Sequence, residues 1–72
     1  MQKEETTYRY FAISVKGGFY GEIGDIVNDF SLAMLFETKQ EAHEFRLYFD
    51  SQHKVDLSTI LRVQILLSTA QQ

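Results

Sequence analysis

The segment Tyr8-Arg-Tyr-Phe-Ala-Ile-Ser-Val-Lys16 is rich in aromatic and β-branched residues and alternates Phe11, Ile13, Val15 against Tyr10, Ala12, Ser14. That period of two predicts a half-buried strand. Gly17-Gly18 follows and supplies the positive φ of a tight hairpin, so a second strand is expected from about Phe19 to Ile26. Its register is argued from side-chain chemistry. A two-residue loop at Gly17-Gly18 would set Glu22 opposite Ile13, a charge on the core face. A three-residue loop of Gly17, Gly18 and Phe19 pairs Ile13 with Ile23 and Val15 with Gly21, leaving Glu22 beside Ser14, and is preferred.

Asn28-Asp29 marks a further turn, after which Phe30, Leu32, Met34 and Phe36 alternate with Ser31, Ala33 and Leu35, as a third strand would. The same residues also allow a short helix capped by Asp25, because Ile26, Phe30 and Ala33 fit helical spacing. Both readings of residues 26–36 stay open. Thr38-Lys-Gln-Glu41 is a capping box, in which the Thr38 hydroxyl accepts from the Glu41 N–H and the glutamate returns to the N–H of Thr38. It predicts a helix running to Ser51–His53, with Ala42, Phe45 and Phe49 on one stripe, Tyr48 at its edge and Leu47 off it. After a polar loop through Asp56 and Ser58-Thr59, Leu61, Val63, Ile65 and Leu67 alternate with Arg62, Gln64 and Leu66 in a last strand. The fold class expected is α+β: a small antiparallel sheet of three to four strands with one helix packed on one face, in the order ββ(β)αβ. Residues 1–72 make a single domain, with residues 1–6 and 71–72 outside the pattern and expected to fray.

A Tyr-x-Tyr-Phe-Ala-Ile opening, the run Ala33-x-x-Phe36-x-Thr38-x-x-Glu41-Ala42-x-x-Phe45 and a C-terminal strand together resemble small uncharacterised proteins of phage and Gram-positive mobile-element origin. The resemblance covers most of the chain, and its motif consists of the capping box and core positions. It implies a sheet with one helix across it and no assigned chemistry.

The 72 residues include no cysteine and no proline. Disulfides and thiolate metal sites are therefore excluded, and a core this small leans on self-association. Ten acidic against seven basic residues give a net charge of -3, the wrong sign for phosphate backbones, so nucleic acid is not the expected partner. Neither a secretory signal nor an apolar run of membrane-spanning length is present, which leads to the expectation of a cytoplasmic protein without membrane contact.

No catalytic residue, cofactor or metal ligand set is expected. His43 and His53 stand ten positions apart, which on one helix is about 80° in azimuth and roughly 15 Å, too far to share an ion. Glu37, Glu41 and Glu44 crowd the helix start, where carboxylates favour the dipole. Gly17, Gly18, Gly21 and Gly24 lack the Lys-Ser/Thr of a phosphate loop, and no serine sits in a nucleophile elbow. An enzyme is not indicated.

Apolar surface remains over. Phe11, Ile13, Val15, Ile23, Leu32, Met34, Val63, Ile65, Ala42, Phe45 and Phe49 suffice to fill the layer between helix and sheet. Left outside it are Tyr8, Tyr10, Ala12, Leu35, Leu66 and, off the helix stripe, Leu47. A patch of Tyr8, Tyr10, Leu35, Leu47 and Leu66 is the candidate interaction site. The expected function is therefore a protein-binding or self-associating module, a homodimer or a binder of another protein, such as a phage or mobile-element accessory protein. The alternative is a single-stranded nucleic-acid binder stacking bases on Tyr8, Tyr10 and Tyr20, with Arg9, Lys16 and Arg62 in reach.

Overall fold

The computed structural model describes residues 5–68. Strand β1 (Glu5–Val15), β2 (Gly18–Tyr20) and β3 (Ile26–Val27) are followed by a 3-10 turn (Phe30–Leu32), helix α1 (Lys39–His53) and strand β4 (Thr59–Ser68). The sheet order is β3-β2-β1-β4 and every pairing is antiparallel. This is the expected α+β arrangement with the ββ(β)αβ order. Glu5 and Thr6 belong to β1, paired with Ser68 and Leu67, where fraying was expected. The expectations for residues 1–4 and 71–72 lie outside the described residues.

The first hairpin corrects the expected register. Ser14 pairs with Phe19 and Val15 with Gly18, so the loop is Lys16-Gly17, with φ of 48° and 78°. A two-residue turn of the hairpin type needs positive φ at both central positions. Lys16 accepts that conformation, the turn closes one residue early, and Gly18 joins β2. Continued by one residue, this register sets Ile13 beside Tyr20, and both lie in the core. Ile23, expected opposite Ile13, is instead 83% exposed in the loop beyond β2.

Residues 26–36 follow neither expected form in full. Strand β3 takes only Ile26 and Val27. Asp29, not Asp25, then caps the 3-10 turn, its carboxylate accepting the Ser31 N–H at 3.0 Å and lying below the usual carboxylate range for that reason. Leu32, expected in the core, is 60% exposed. From Ala33 the chain turns back to the sheet. Phe36 exchanges two backbone hydrogen bonds of 2.8 Å with Phe11, and Ala33 bridges Gly21. Ala33–Phe36 thus takes the place beside β1 that β2 leaves after Tyr20.

Helix α1 begins as expected. The Thr38 hydroxyl accepts from the Glu41 N–H at 3.1 Å, and Glu41 Oε1 accepts from the Thr38 N–H at 3.3 Å. Its stripe closes over Ile13, Val15, Tyr20 and Phe36 with Ala42, while Phe11, Ile26, Met34, Phe45, Phe49, Val55 and Ile60 pack around them. Phe45 is the centre of the aromatic contacts, 4.9 Å from the Phe36 ring and 4.4 Å from that of Phe49. Gly24 meets the helix end closely. A Cβ there would collide with the Phe49 ring, and its φ is +81°.

A polar clasp joins the C-terminal half of the helix to the start of β4. Asp50 is only 8% exposed. It accepts from the Tyr20 hydroxyl at 2.7 Å and from the Ser58 N–H and hydroxyl at 3.1 and 2.9 Å, while Arg46 donates to the Ser58 carbonyl at 3.2 Å. Burial alone would push the Asp50 carboxyl up. The hydrogen bonds from Tyr20 and Ser58, with the Arg46 charge, outweigh it and hold the carboxyl below its usual range. Burial, and then the bond to Asp50, push the Tyr20 hydroxyl above its ordinary value.

The clasp determines which side of β4 faces the helix. With Ser58 held, Ile60 lands opposite Ile13 and enters the core. Residues paired directly across an antiparallel ladder share a face, so the even positions of β4 lie on the helix side. Val63 and Ile65, expected in the core, therefore lie on the far face, because a shift of one residue inverts a whole strand.

Candidate interaction surface

Strands β1 and β4 form a ribbon of ten consecutive pairs, from Glu5↔Ser68 to Ser14↔Thr59. On the side away from the helix its rows are Thr6/Leu67, Tyr8/Ile65, Tyr10/Val63, Ala12/Leu61 and Ser14/Thr59. None of these ten side chains is charged. Arg9, Arg62 and Glu5 all occupy the alternate rows on the helix side. The far face widens at one end, because Ser14 pairs with Phe19 and Phe19 with Val27. Phe30 stands edge-on to Phe19 at 5.3 Å. Extending the Phe11–Phe36 bridge by one residue sets Leu35 opposite Ala12.

The result is an uncharged, mostly apolar face along the sheet, in which Ala12 is itself wholly covered by its neighbours. Tyr8 and Tyr10 stack along it with ring centroids 6.4 Å apart and planes 18° from parallel. Tyr8, Phe30, Leu61 and Leu67 are exposed, and Tyr10, Phe19, Val27, Leu35, Val63 and Ile65 are half-buried. Helix α1 packs on the opposite face. Toward Glu5 the β1–β4 ribbon projects past the rest of the fold, and the molecule measures 53 Å along its longest axis against 23 and 17 Å across it. A two-stranded ribbon is at best marginally stable alone in water.

Of the five residues expected to form a patch, Tyr8, Tyr10 and Leu35 share this face. Leu66 pairs with Thr7 on the helix side of the ribbon and is 61% exposed, and Leu47, 58% exposed, lies on the helix. Phe19, Val27, Phe30, Leu61, Val63, Ile65 and Leu67 belong to the surface and were not among the expected patch. Of the uncharged odd positions of β4, the sequence pattern assigns Val63 and Ile65 to the core, whereas the structure sets them on this face.

The tyrosine platform also separates into parts. Tyr20 is 0% exposed beneath the helix, its ring 6.0 Å from that of Phe49 and its hydroxyl spent on Asp50. Arg9 and Arg62 lie on the face opposite Tyr8 and Tyr10, and Lys16 stands at the hairpin tip, its Nζ donating to the His53 carbonyl at 3.5 Å. The histidines differ from each other. His53 is half-buried, its Nε2 donating to the Gly24 carbonyl at 2.7 Å, whereas His43 is exposed beside Arg46. Among the described residues no three His, Cys, Asp or Glu side chains gather as metal ligands. No described helix is long and apolar enough to cross a membrane.

The arrangement offers an uncharged, mostly apolar surface and a buried carboxylate whose bonds all close the fold. Compared with protein-family models, with curated proteins and with solved structures, the chain matches none.

Proposed function

We propose that this chain is a self-associating module, a homodimer formed through the sheet face that the helix leaves bare. The observation that carries the reading is the run of five uncharged cross-strand rows from Thr6/Leu67 to Ser14/Thr59. A second copy is the occupant the surface suits best. An uncharged apolar face complements itself under a twofold axis, and no charge on it selects a differently charged partner. The area also agrees. At about 3.4 Å per residue and 4.8 Å between strands, the ribbon and the flanking β2–β3 segment cover about 450 Å² in plan. Two such faces together bury about 900 Å² in plan and more once side-chain relief is counted, which approaches the roughly 1,200 Å² at which stable interfaces begin.

Self-association also answers the marginal core. Among the described residues the buried apolar cluster between helix and sheet is only Ile13, Val15, Tyr20, Phe36 and Ala42. A face that must be covered as soon as the chain folds favours a partner that is always present. A binding module without catalytic chemistry is in keeping with the resemblance to small phage and mobile-element proteins.

Sedimentation equilibrium over a hundredfold concentration range tests the reading. The wild type should approach twice 8.4 kDa. Replacing Tyr10 and Val63 together with glutamate should return a folded monomer, whereas Leu66→Glu, on the other face, should leave the dimer intact. A wild-type mass that stays near 8.4 kDa up to about 1 mM overturns it.

A further inference from the structure

On the helix side of the ribbon lies a concavity of about 380 Å³ lined by Arg9, Lys39, Arg62 and Gln64 together with Tyr10, Phe11 and Val63. Three cations border it and no carboxylate does, in a chain where acidic residues outnumber basic ones by ten to seven. Each of the three is unfavourably placed by itself. Arg9 pairs with Gln64 and Arg62 with Phe11, which makes the two arginines diagonal neighbours on one face, about 7 to 8 Å apart at the backbone and within reach of each other. Lys39 is the first residue of α1, where the positive end of the helix dipole disfavours a cation. An anion between them relieves all three at once.

We propose that this concavity binds a small doubly charged oxyanion, in chemical class a phosphate monoester. Two guanidinium groups offer paired, planar donors that fit a tetrahedral oxyanion, the Gln64 amide adds a neutral donor, and the volume lies in the range of small-ligand sites. The overall charge of -3 repels a long polyanion but acts weakly on a single small one. The cations and Gln64 lie on the face opposite the dimer surface, while Tyr10 and Val63 border both, so the anion is tested through Arg9 and Arg62, which the dimer reading does not use, and the two readings stand or fall separately.

Amide chemical-shift titration of the full chain, with inorganic phosphate and phenyl phosphate as probes and sodium chloride at matched ionic strength, decides it. Saturable shifts should appear at residues 9, 39, 62 and 64, and the apparent affinity should fall at least tenfold in the double variant Arg9→Gln, Arg62→Gln but not in Lys54→Gln, at the far end of the helix. The double variant should also denature at a higher temperature than the wild type at low salt without phosphate, because a like-charge repulsion is gone. Shifts that merely follow ionic strength, or that persist unchanged in the double variant, overturn the proposal. Succinate binding as tightly as phenyl phosphate overturns the phosphate assignment.

Discussion

Replacing Asp50 by alanine tests the clasp most directly. The carboxylate receives three hydrogen bonds, one from Tyr20 and two from Ser58, at 2.7 to 3.1 Å. Both donors are almost wholly buried, at 0% and 2% exposure. Alanine would leave the Tyr20 hydroxyl and the Ser58 N–H and hydroxyl without partners. An unsatisfied buried donor costs about 1 to 3 kcal/mol, so the three together, with partial relaxation, should cost about 3 to 5 kcal/mol. Tyr20→Phe removes a donor and leaves Asp50 its two bonds to Ser58, and should cost only about 1 to 2 kcal/mol. Urea denaturation followed by far-UV circular dichroism reads both, at low temperature so that the weaker variant keeps a folded baseline. Asp50→Asn retains the shape but turns one acceptor into a donor facing Ser58, and should fall between them. An Asp50→Ala loss no larger than that of Tyr20→Phe would refute the view that one carboxylate organises this corner.

Three further outcomes follow from the same geometry. Thr38→Ala removes an N-cap acceptor and half of the capping box and should lower stability by about 1 kcal/mol, read as a shift in denaturation midpoint with unchanged slope. Phe49→Ala, which loses ring contacts to Tyr20, Phe45 and Tyr48, should cost about 3 kcal/mol or more, against less than about 1 for exposed Leu47→Ala; equal costs would overturn the orientation of the helix. Stability should fall at both ends of the pH scale. The folded Asp50 carboxyl lies below its unfolded value, so its contribution is present above about pH 4 and is lost as pH falls further. The Tyr20 hydroxyl is raised, so its contribution is present below about pH 10 and is lost above it. Thermal denaturation across pH should show both limbs, and the alkaline limb should shrink in Tyr20→Phe.

The helix was legible because its signals are local. Thr38 and Glu41 specify where it starts by bonds within four residues, and Ala42, Phe45 and Phe49 specify its inner face by their spacing alone. The first strand was legible for a similar reason, as Phe11, Ile13 and Val15 alternate without ambiguity. The first hairpin is not legible in the sequence because Lys16-Gly17, Gly17-Gly18 and the preferred Gly17-Gly18-Phe19 can each supply the loop, and the outcome rests on whether a lysine accepts positive φ. Residues 26–36 are ambiguous in the sequence because Ile26, Phe30 and Ala33 fit helical spacing while Phe30, Leu32, Met34 and Phe36 alternate as a strand does, and what they adopt is settled by Phe19 and Phe11, distant in sequence.

The last strand shows why the candidate surface was only partly visible. Its odd positions, Leu61, Val63, Ile65 and Leu67, are uniformly apolar, while its even positions include Arg62 and Gln64. The rule that the more apolar side of a strand faces the core assigns the odd set inward. The fold does the reverse, because Asp50 and Arg46 hold Ser58 at a point from which Ile60 must enter the core opposite Ile13. One inward isoleucine and a polar clasp thus outweigh four outward apolar side chains. That arrangement is costly for a monomer in water, and the proposed second copy would relieve it by covering the face. Changes that loosen the clasp should therefore disturb association as well as folding. Ser58→Ala, which keeps the backbone bond to Asp50 and loses the hydroxyl bond, should weaken the dimer severalfold while leaving helix content intact. Sedimentation and circular dichroism on the same samples would show this, and a dimer of unchanged affinity alongside a measurable loss of stability would mean that the position of Ser58 does not govern which face β4 presents.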